Sequence, residues 1–315
     1  QGTQDTGAKG KGGKAAVDGA GAAGGGKGGK KQGSKQKEKD SMRVYRKRPD
    51  HKLTAEEQKT QNARLLHAAA VKEDVETVKR ALEDGAEIDS VSDQMGGRTA
   101  LMAACLSGYA GAVRVLLANG ADWRIGEKDG YTCLHGAGFQ GRAAVAEAAL
   151  KAGVPPNDAH EDGYMPIHRA CWGQSKGHAD TVRALVRGGA YASVAANGKT
   201  PLHLACQAQS INIHLLKALL EVGADVNERD SDGKTPLLMV MMGGAGDEGR
   251  VHAVKLLAKY GADMAHSDSG TGQTVADIAR EFGYEEYIKD ALKEAGEDEG
   301  GESHVGGKKK KKGKG

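Results

Sequence analysis

Between Ala63 and Gly296 the apolar residues come in paired short runs. A first run such as LMAAC from Leu101 or LHLAC from Leu202 is followed, after a break, by a second such as VRVLLANG from Val113 or VKLLAKYG from Val254. In the second runs Val and Leu fall at helical spacing, which puts them on one face, and the closing glycine stops the helix by taking a left-handed conformation. Pro166, Pro201 and Pro236 stand at the start of first runs, where a missing N–H costs little, and Thr200 and Thr235 precede two of them as N-caps. The pattern predicts two short antiparallel helices and a projecting turn per unit, with an apolar face that only the next unit covers.

The units recur. Aligned on the first run they open at Arg98, Tyr131, Tyr164, Lys199 and Lys234, spaced by 33, 33, 35 and 35 residues. The five versions are RTALMAACLSG, YTCLHGAGFQG, YMPIHRACWG, KTPLHLACQ and KTPLLMVMMGG. More polar units precede them from Ala63 and follow from Gln273, as the ends of a stack require when one face meets water. Seven units in all predict an all-α solenoid.

The in-phase Thr-Pro-Leu-His or a close variant, with Gly-Ala-Asp or a variant after each second helix, resembles the ankyrin repeat over about residues 63–296. The departures are local: two extra residues between helices in the units at Tyr164 and Lys199, and in the unit at Lys234 a GGAGDEG insert and no histidine. The resemblance implies helix pairs with projecting hairpin turns. It implies that His67, His135, His168 and His203 hydrogen-bond backbone of a neighbouring unit. It also implies a concave face, formed by the turns and the exposed side of the first helices, that binds a partner protein.

The ends of the chain differ from this body. Most of the first 40 residues are Gly, Lys, Ala and Gln with no aromatic residue, too little apolar area to offset chain entropy, so they are expected to be disordered. The C-terminal end is an acidic block followed by a lysine block and reads the same way. We divide the chain into a basic N-terminal region 1–53, a repeat body 54–296 and a tail 297–315. Residues 1–53 carry 14 Lys and Arg against 5 Asp and Glu, and residues 297–315 carry 6 against 4. The body, with 25 against 33, is left at a net charge of −8. Arg46, Lys47 and Arg48, and Lys308, Lys309, Lys310, Lys311 and Lys312, are candidates for import-receptor contact or weak RNA and ribosome contact, which gives the alternative reading of a nucleic-acid-associated protein. Only Tyr45 offers a ring for base stacking near them.

Other classes of function find less support. No apolar run approaches the roughly 18 residues of a membrane helix. Beginning at Gln1, the chain is expected to be truncated or processed, and a removed targeting segment would leave no trace. Four cysteines in 315 residues do not make the dense framework of small secreted domains, so a reducing cytoplasmic or nuclear compartment is expected.

The Gly-Lys-Thr at Gly198 and at Gly233 lacks the glycine five residues earlier that a phosphate loop needs. Gly136, Gly138 and Gly141, and again Gly244, Gly246 and Gly249, spell a dinucleotide fingerprint, but both fall at the break between paired helices. The His168–Cys171 and His203–Cys206 pairs share helix faces, yet they belong to neighbouring units roughly 8–10 Å apart, too far for one zinc site or for a Cys171–Cys206 disulfide. The recurring histidines have no nucleophile and orienting carboxylate in phase with them. No cofactor, metal or catalytic residue is expected.

Aromatic residues are scarce, two Trp and two Phe, yet Phe139 and Trp172 take the same position in consecutive units, with Leu106 in that position one unit earlier. Tyr131 and Tyr164 open the same two units. The resemblance places Leu106, Tyr131, Phe139, Tyr164 and Trp172 on one partner-binding patch, rich in the residue types that carry interface energy.

Overall fold

Five of the seven first helices start with a threonine cap written in the sequence, at Thr54, Thr99, Thr200, Thr235 and Thr274. In a computed structural model of the chain, Thr200 Oγ1 accepts the His203 N–H at 3.4 Å, and Thr200 N–H donates back to His203 Nδ1 at 3.3 Å. This is a capping box in which histidine takes the place of the usual Glu. Thr54 with Glu57 and Thr274 with Asp277 build the same box with a carboxylate. Leu238 stands where the histidine is missing, and only the Thr235 half remains.

Residues 53–93, 96–127, 129–243 and 248–298 are described, without the side chains of 291, 292 and 294–298. The two ends read as disordered, the basic runs at Arg46–Arg48 and Lys308–Lys312, and Gly244 and Gly246 lie outside them. The described helices form seven pairs: α1 Ala55–Ala70 with α2 Val75–Glu83, α3 Ala100–Ser107 with α4 Ala110–Ala118, α5 Cys133–Gln140 with α6 Ala143–Lys151, α7 Pro166–Ala170 with α8 Lys176–Arg187, α9 Pro201–Gln207 with α10 Ile213–Glu221, α11 Pro236–Met242 with α12 Glu248–Lys259, and α13 Val275–Phe282 with α14 Glu285–Asp298. A two-residue antiparallel ladder, β1 Val91–Ser92 with β2 Arg98–Thr99, sits in the turn between the first two pairs. First helices pack on first helices and second on second, giving two layers whose shared core includes Leu66, Leu101, Leu134, Ile167, Leu202 and Leu237. No described helix is long and apolar enough to cross a membrane.

The glycines of the first fingerprint have packing roles. A Cβ on Gly138 would collide with Pro166 O, so Gly138 lets α5 and α7 approach closely, while Gly141 caps α5 at φ 66°.

Side chains also tie unit to unit. Asp89, Asn157, Ser193 and Asn227 each accept the backbone N–H of the residue after Gly-Ala in the next unit, at Asp122, Tyr191, Asp225 and Asp263, over 2.7–3.1 Å. Between Asp122 and Asn157 the acceptor position holds Arg124, and the residue opposite is Pro155, which has no N–H to offer. Donor and acceptor are missing at the same rung, so neither is left buried and alone.

A second set of ties starts near the head of the second helices. His178 Nε2–H donates to Phe139 O at 3.0 Å, and Asn212 Nδ2 donates to Gly173 O and Ser175 O at 3.2 Å each. In the unit with the Gly-rich insert this task falls to Arg250, which is buried and donates to Val240 O at 3.0 Å and Ala208 O at 3.3 Å. Arg250→Met would keep the stem and orphan those carbonyls, for an expected loss of roughly 2–3 kcal/mol. A urea-unfolding midpoint equal to that of the parent would show that water takes the guanidinium's place.

Candidate functional site

The turns and first helices of the units at Arg98, Tyr131 and Tyr164 bring the five patch residues around one side chain absent from the sequence expectation, Arg169. It lies on α7 between His168 and Ala170, and its phase turns it toward Tyr131, Tyr164 and Trp172. The guanidinium carbon is 4.5 Å from the Tyr131 ring centre, 4.5 Å from Trp172 and 5.2 Å from Tyr164. Three rings about one cation is a desolvated cation–π cluster, and Arg169 is only 7% exposed. Its Nη2 donates to the Tyr131 hydroxyl at 3.0 Å and pairs with the Asp162 carboxylate.

The other face of Tyr131 is taken as well. His160 stacks on it at 4.0 Å between ring centres, and Tyr164 meets Trp172 edge to face at 5.1 Å. Tyr131 and Tyr164 are half-buried, whereas Phe139 is 55% exposed and Trp172 39%. The two tyrosines therefore build the floor and position the arginine, and Phe139 and Trp172 are the rings left exposed. Sequence reasoning missed Arg169 because its charge marks a solvated surface position by default. The only signal was its place one residue after the repeated histidine, on the side of the helix that bears the aromatic positions.

Beside this cluster lies a cavity of about 300 Å³ lined by Arg98, Leu106, Glu127, Asp129, Tyr131, His135, Gly136, Phe139 and Arg169. Arg98 is held against Glu127 at 2.6 Å. His160 has Nε2 at Asp129 O, while its Nδ1 faces both the Asp162 carboxylate at 2.9 Å and the Asp162 N–H at 3.3 Å. Burial works against an imidazolium charge, but the Asp129 carbonyl and Asp162 outweigh it and raise the His160 pKa. For Asp162, burial works upward, and hydrogen bonds from His160, the Tyr164 N–H and Arg169 overcome it and bring the pKa to about 2.

The repeated histidines serve the stack. His67, His135 and His203 donate Nε2–H to the opening carbonyl of the next unit, at Arg98, Tyr164 and Lys234, over 3.2, 3.2 and 2.9 Å. His168 reaches Val194 O instead, at 3.0 Å, in the stretch that leads to the turn at Lys199, which is one residue shorter than those leading to Tyr131, Tyr164 and Lys234. Burial lowers the pKa of His135 and of His168 to about 4 and that of His203 in the same direction. Cys171 and Cys206 are buried thiols, Cys171 donating to Ile167 O, and burial pushes both pKa values far up, so neither is a nucleophile.

Cys105 and Cys133 form a disulfide between α3 and α5, with Cα atoms 5.6 Å apart. The spacing argument against a Cys171–Cys206 bridge compares residues in the same phase of neighbouring units. Cys133 is out of phase: it occupies the position of Pro166, Pro201 and Pro236, at the head of α5, where the chain approaches the end of α3. A cysteine in a proline position was the available signal.

Stacked helix pairs joined by hairpin turns, with an aromatic and charged face on the first helices, define a helical repeat solenoid. The family model for ankyrin repeats matches in three copies, at residues 65–159, 134–230 and 167–268, and the chain belongs to the ankyrin repeat family. Ankyrin repeats generally mediate protein–protein interaction.

The chain is 29% identical over 71% of its length to the E3 ubiquitin-protein ligase KEG of Arabidopsis thaliana, but spans only 14% of that protein. Among solved structures it resembles the human ASB11 ankyrin repeat domain, with a TM-score of 0.56, 26% identity, and coverage of 72% of this chain and 96% of that one. It also shares the fold of the ankyrin repeat domain of Bcl-3, with a TM-score of 0.59, 24% identity, and coverage of 73% and 97%.

Proposed function

We propose that this chain is an adaptor that binds a partner protein on the face bearing Leu106, Tyr131, Phe139, Tyr164 and Trp172, and that it has no chemistry of its own. The observation that carries the reading is the exposure of Phe139 and Trp172 in consecutive units, each beside the Arg169 cluster. Large rings left open next to a concavity are what a partner's apolar side chains cover most profitably, and the surface is preformed because Tyr131, Tyr164 and Asp162 already hold Arg169 in place. Phe139→Ser with Trp172→Ser is expected to weaken capture of the partner from cell lysate by about 30-fold or more. The thermal transition should fall modestly, because Phe139 lies on the surface while Trp172 gives up its contacts with Arg169 and Tyr164. Undiminished capture by the folded double variant would remove this reading.

A further inference from the structure

The Arg169 guanidinium is incompletely paired. Arg169 and His160 share one carboxylate, Asp162, the neighbouring Arg98 is paired with Glu127, and Asp129, an exposed residue, also lines the cavity. Of the five guanidinium donors, those on Nη2 meet Tyr131 and Asp162, whereas Nε is buried with no partner and Nη1 makes no hydrogen bond among the described residues. Arg169 is nine-tenths buried and forms part of the cavity wall; Nε is sealed inside the packing, and the Nη1 edge, which is not among the sealed atoms, is the one an entering group can reach. A buried donor without an acceptor is destabilising, and a guanidinium with a free edge accepts a carboxylate strongly because the pair is charge-assisted.

We propose that a partner segment inserts an aspartate or glutamate side chain into this cavity to meet Arg169, while an adjacent apolar side chain of the same segment lies on Phe139 and Trp172; this rests on the reading that the face binds a protein. The size agrees, because about 300 Å³ is at the low end of ligand pockets and holds a side chain or two. A cationic side chain fits less well. Tyr131 has one face on Arg169 and the other on His160, and Trp172 already holds Arg169, so an incoming cation would find few free ring faces and two like charges. The body's net negative charge acts from outside a screening length of roughly 8 Å and governs encounter, while the cavity floor governs which side chain docks.

The test is selection of displayed random short peptides on the immobilised full chain, run in parallel on Phe139→Ser/Trp172→Ser. Peptides that need the two rings are expected to share one acidic position next to an apolar one. Changing that Asp or Glu to its amide in the synthetic peptide should weaken binding about tenfold or more. On Arg169→Gln the acid and the amide should bind alike. The peptide-side change alone decides the matter if that variant does not fold. Ring-dependent peptides that are basic, or whose affinity is unmoved by the amide, overturn the carboxylate proposal and leave the interaction face standing. If no selected peptide depends on the rings, the face itself is wrong and the proposal falls with it.

Discussion

Lowering the pH from 7 to 4.5 is expected to remove about 5 kcal/mol of stability through His135 and His168 alone. Both are buried with Nε2–H donated to a backbone carbonyl, Tyr164 O at the opening of the next unit for His135 and Val194 O ahead of the next opening for His168. Nδ1 is occupied as an acceptor, from the Met165 N–H in His168 and facing the Thr132 hydroxyl in His135. Desolvation opposes the charge of a second proton on either ring, and in His168 that proton would also break the bond from the Met165 N–H, so each folded pKa lies at about 4, below the ordinary 6.5. A depressed folded pKa means that the stabilisation is fully present above pH 6.5 and is lost as pH falls through the window from 6.5 to 4. At pH 4.5 each histidine has given up about 2.5 kcal/mol. His203 shifts the same way and adds to the loss. Asp162, at about 2, is still ionised at pH 4.5, and His160, with its pKa raised, works in the opposite sense by favouring the folded state at acid pH. Urea midpoints at pH 7 and 4.5 would measure the fall, and histidine ring-proton NMR would locate it. A midpoint independent of pH, or resonances of His135 and His168 titrating near 6.5, would contradict the account.

Opening the Cys105–Cys133 bridge is expected to cost about 3.5 kcal/mol, the chain entropy of releasing residues 28 apart in the unfolded state. Both cysteines are essentially fully buried, so a reductant reaches the bond only when α3 and α5 part, and reduction of the native protein should be slow without denaturant. Cys105→Ala/Cys133→Ala should unfold at the lower midpoint whether or not reductant is present. The parent should match it only after reduction. Identical midpoints for parent and double variant under oxidising conditions would show that the bridge holds nothing that packing does not already hold. The consequence reaches the proposed interaction face, because Leu106 follows Cys105 and lines the cavity beside Phe139.

What was legible in the sequence is what repetition and local chemistry dictate. A period of 33 to 35 residues, proline at the head of first helices and glycine after second ones specify helix pairs that must stack, since no pair covers its own apolar face. The structure accordingly has seven pairs in two layers. The extra residues in the unit at Lys199 appear between its helices, in the five-residue link Ala208–Asn212, whereas in the unit at Tyr164 the second helix starts as far from the opener as in the unit at Tyr131 and is itself longer, 12 residues against 9.

The rest depended on which side chains the stacking brings together across about 30 to 40 residues of chain, and phase alone does not encode that. Comparing like positions in neighbouring units made a disulfide look out of reach, because the Cys105–Cys133 pair joins unlike positions. Tyr131 and Trp172 read as equal members of a patch until Arg169 and His160 covered the faces of the tyrosine and left the indole half open. Arg169 itself read as surface, because a charge is normally solvated, and it became the floor of a cavity only through three rings and a carboxylate contributed by two units. The frame of the solenoid is local and therefore written in the chain. Its recognition chemistry is a sum of contacts between units, so only the packed structure decides it.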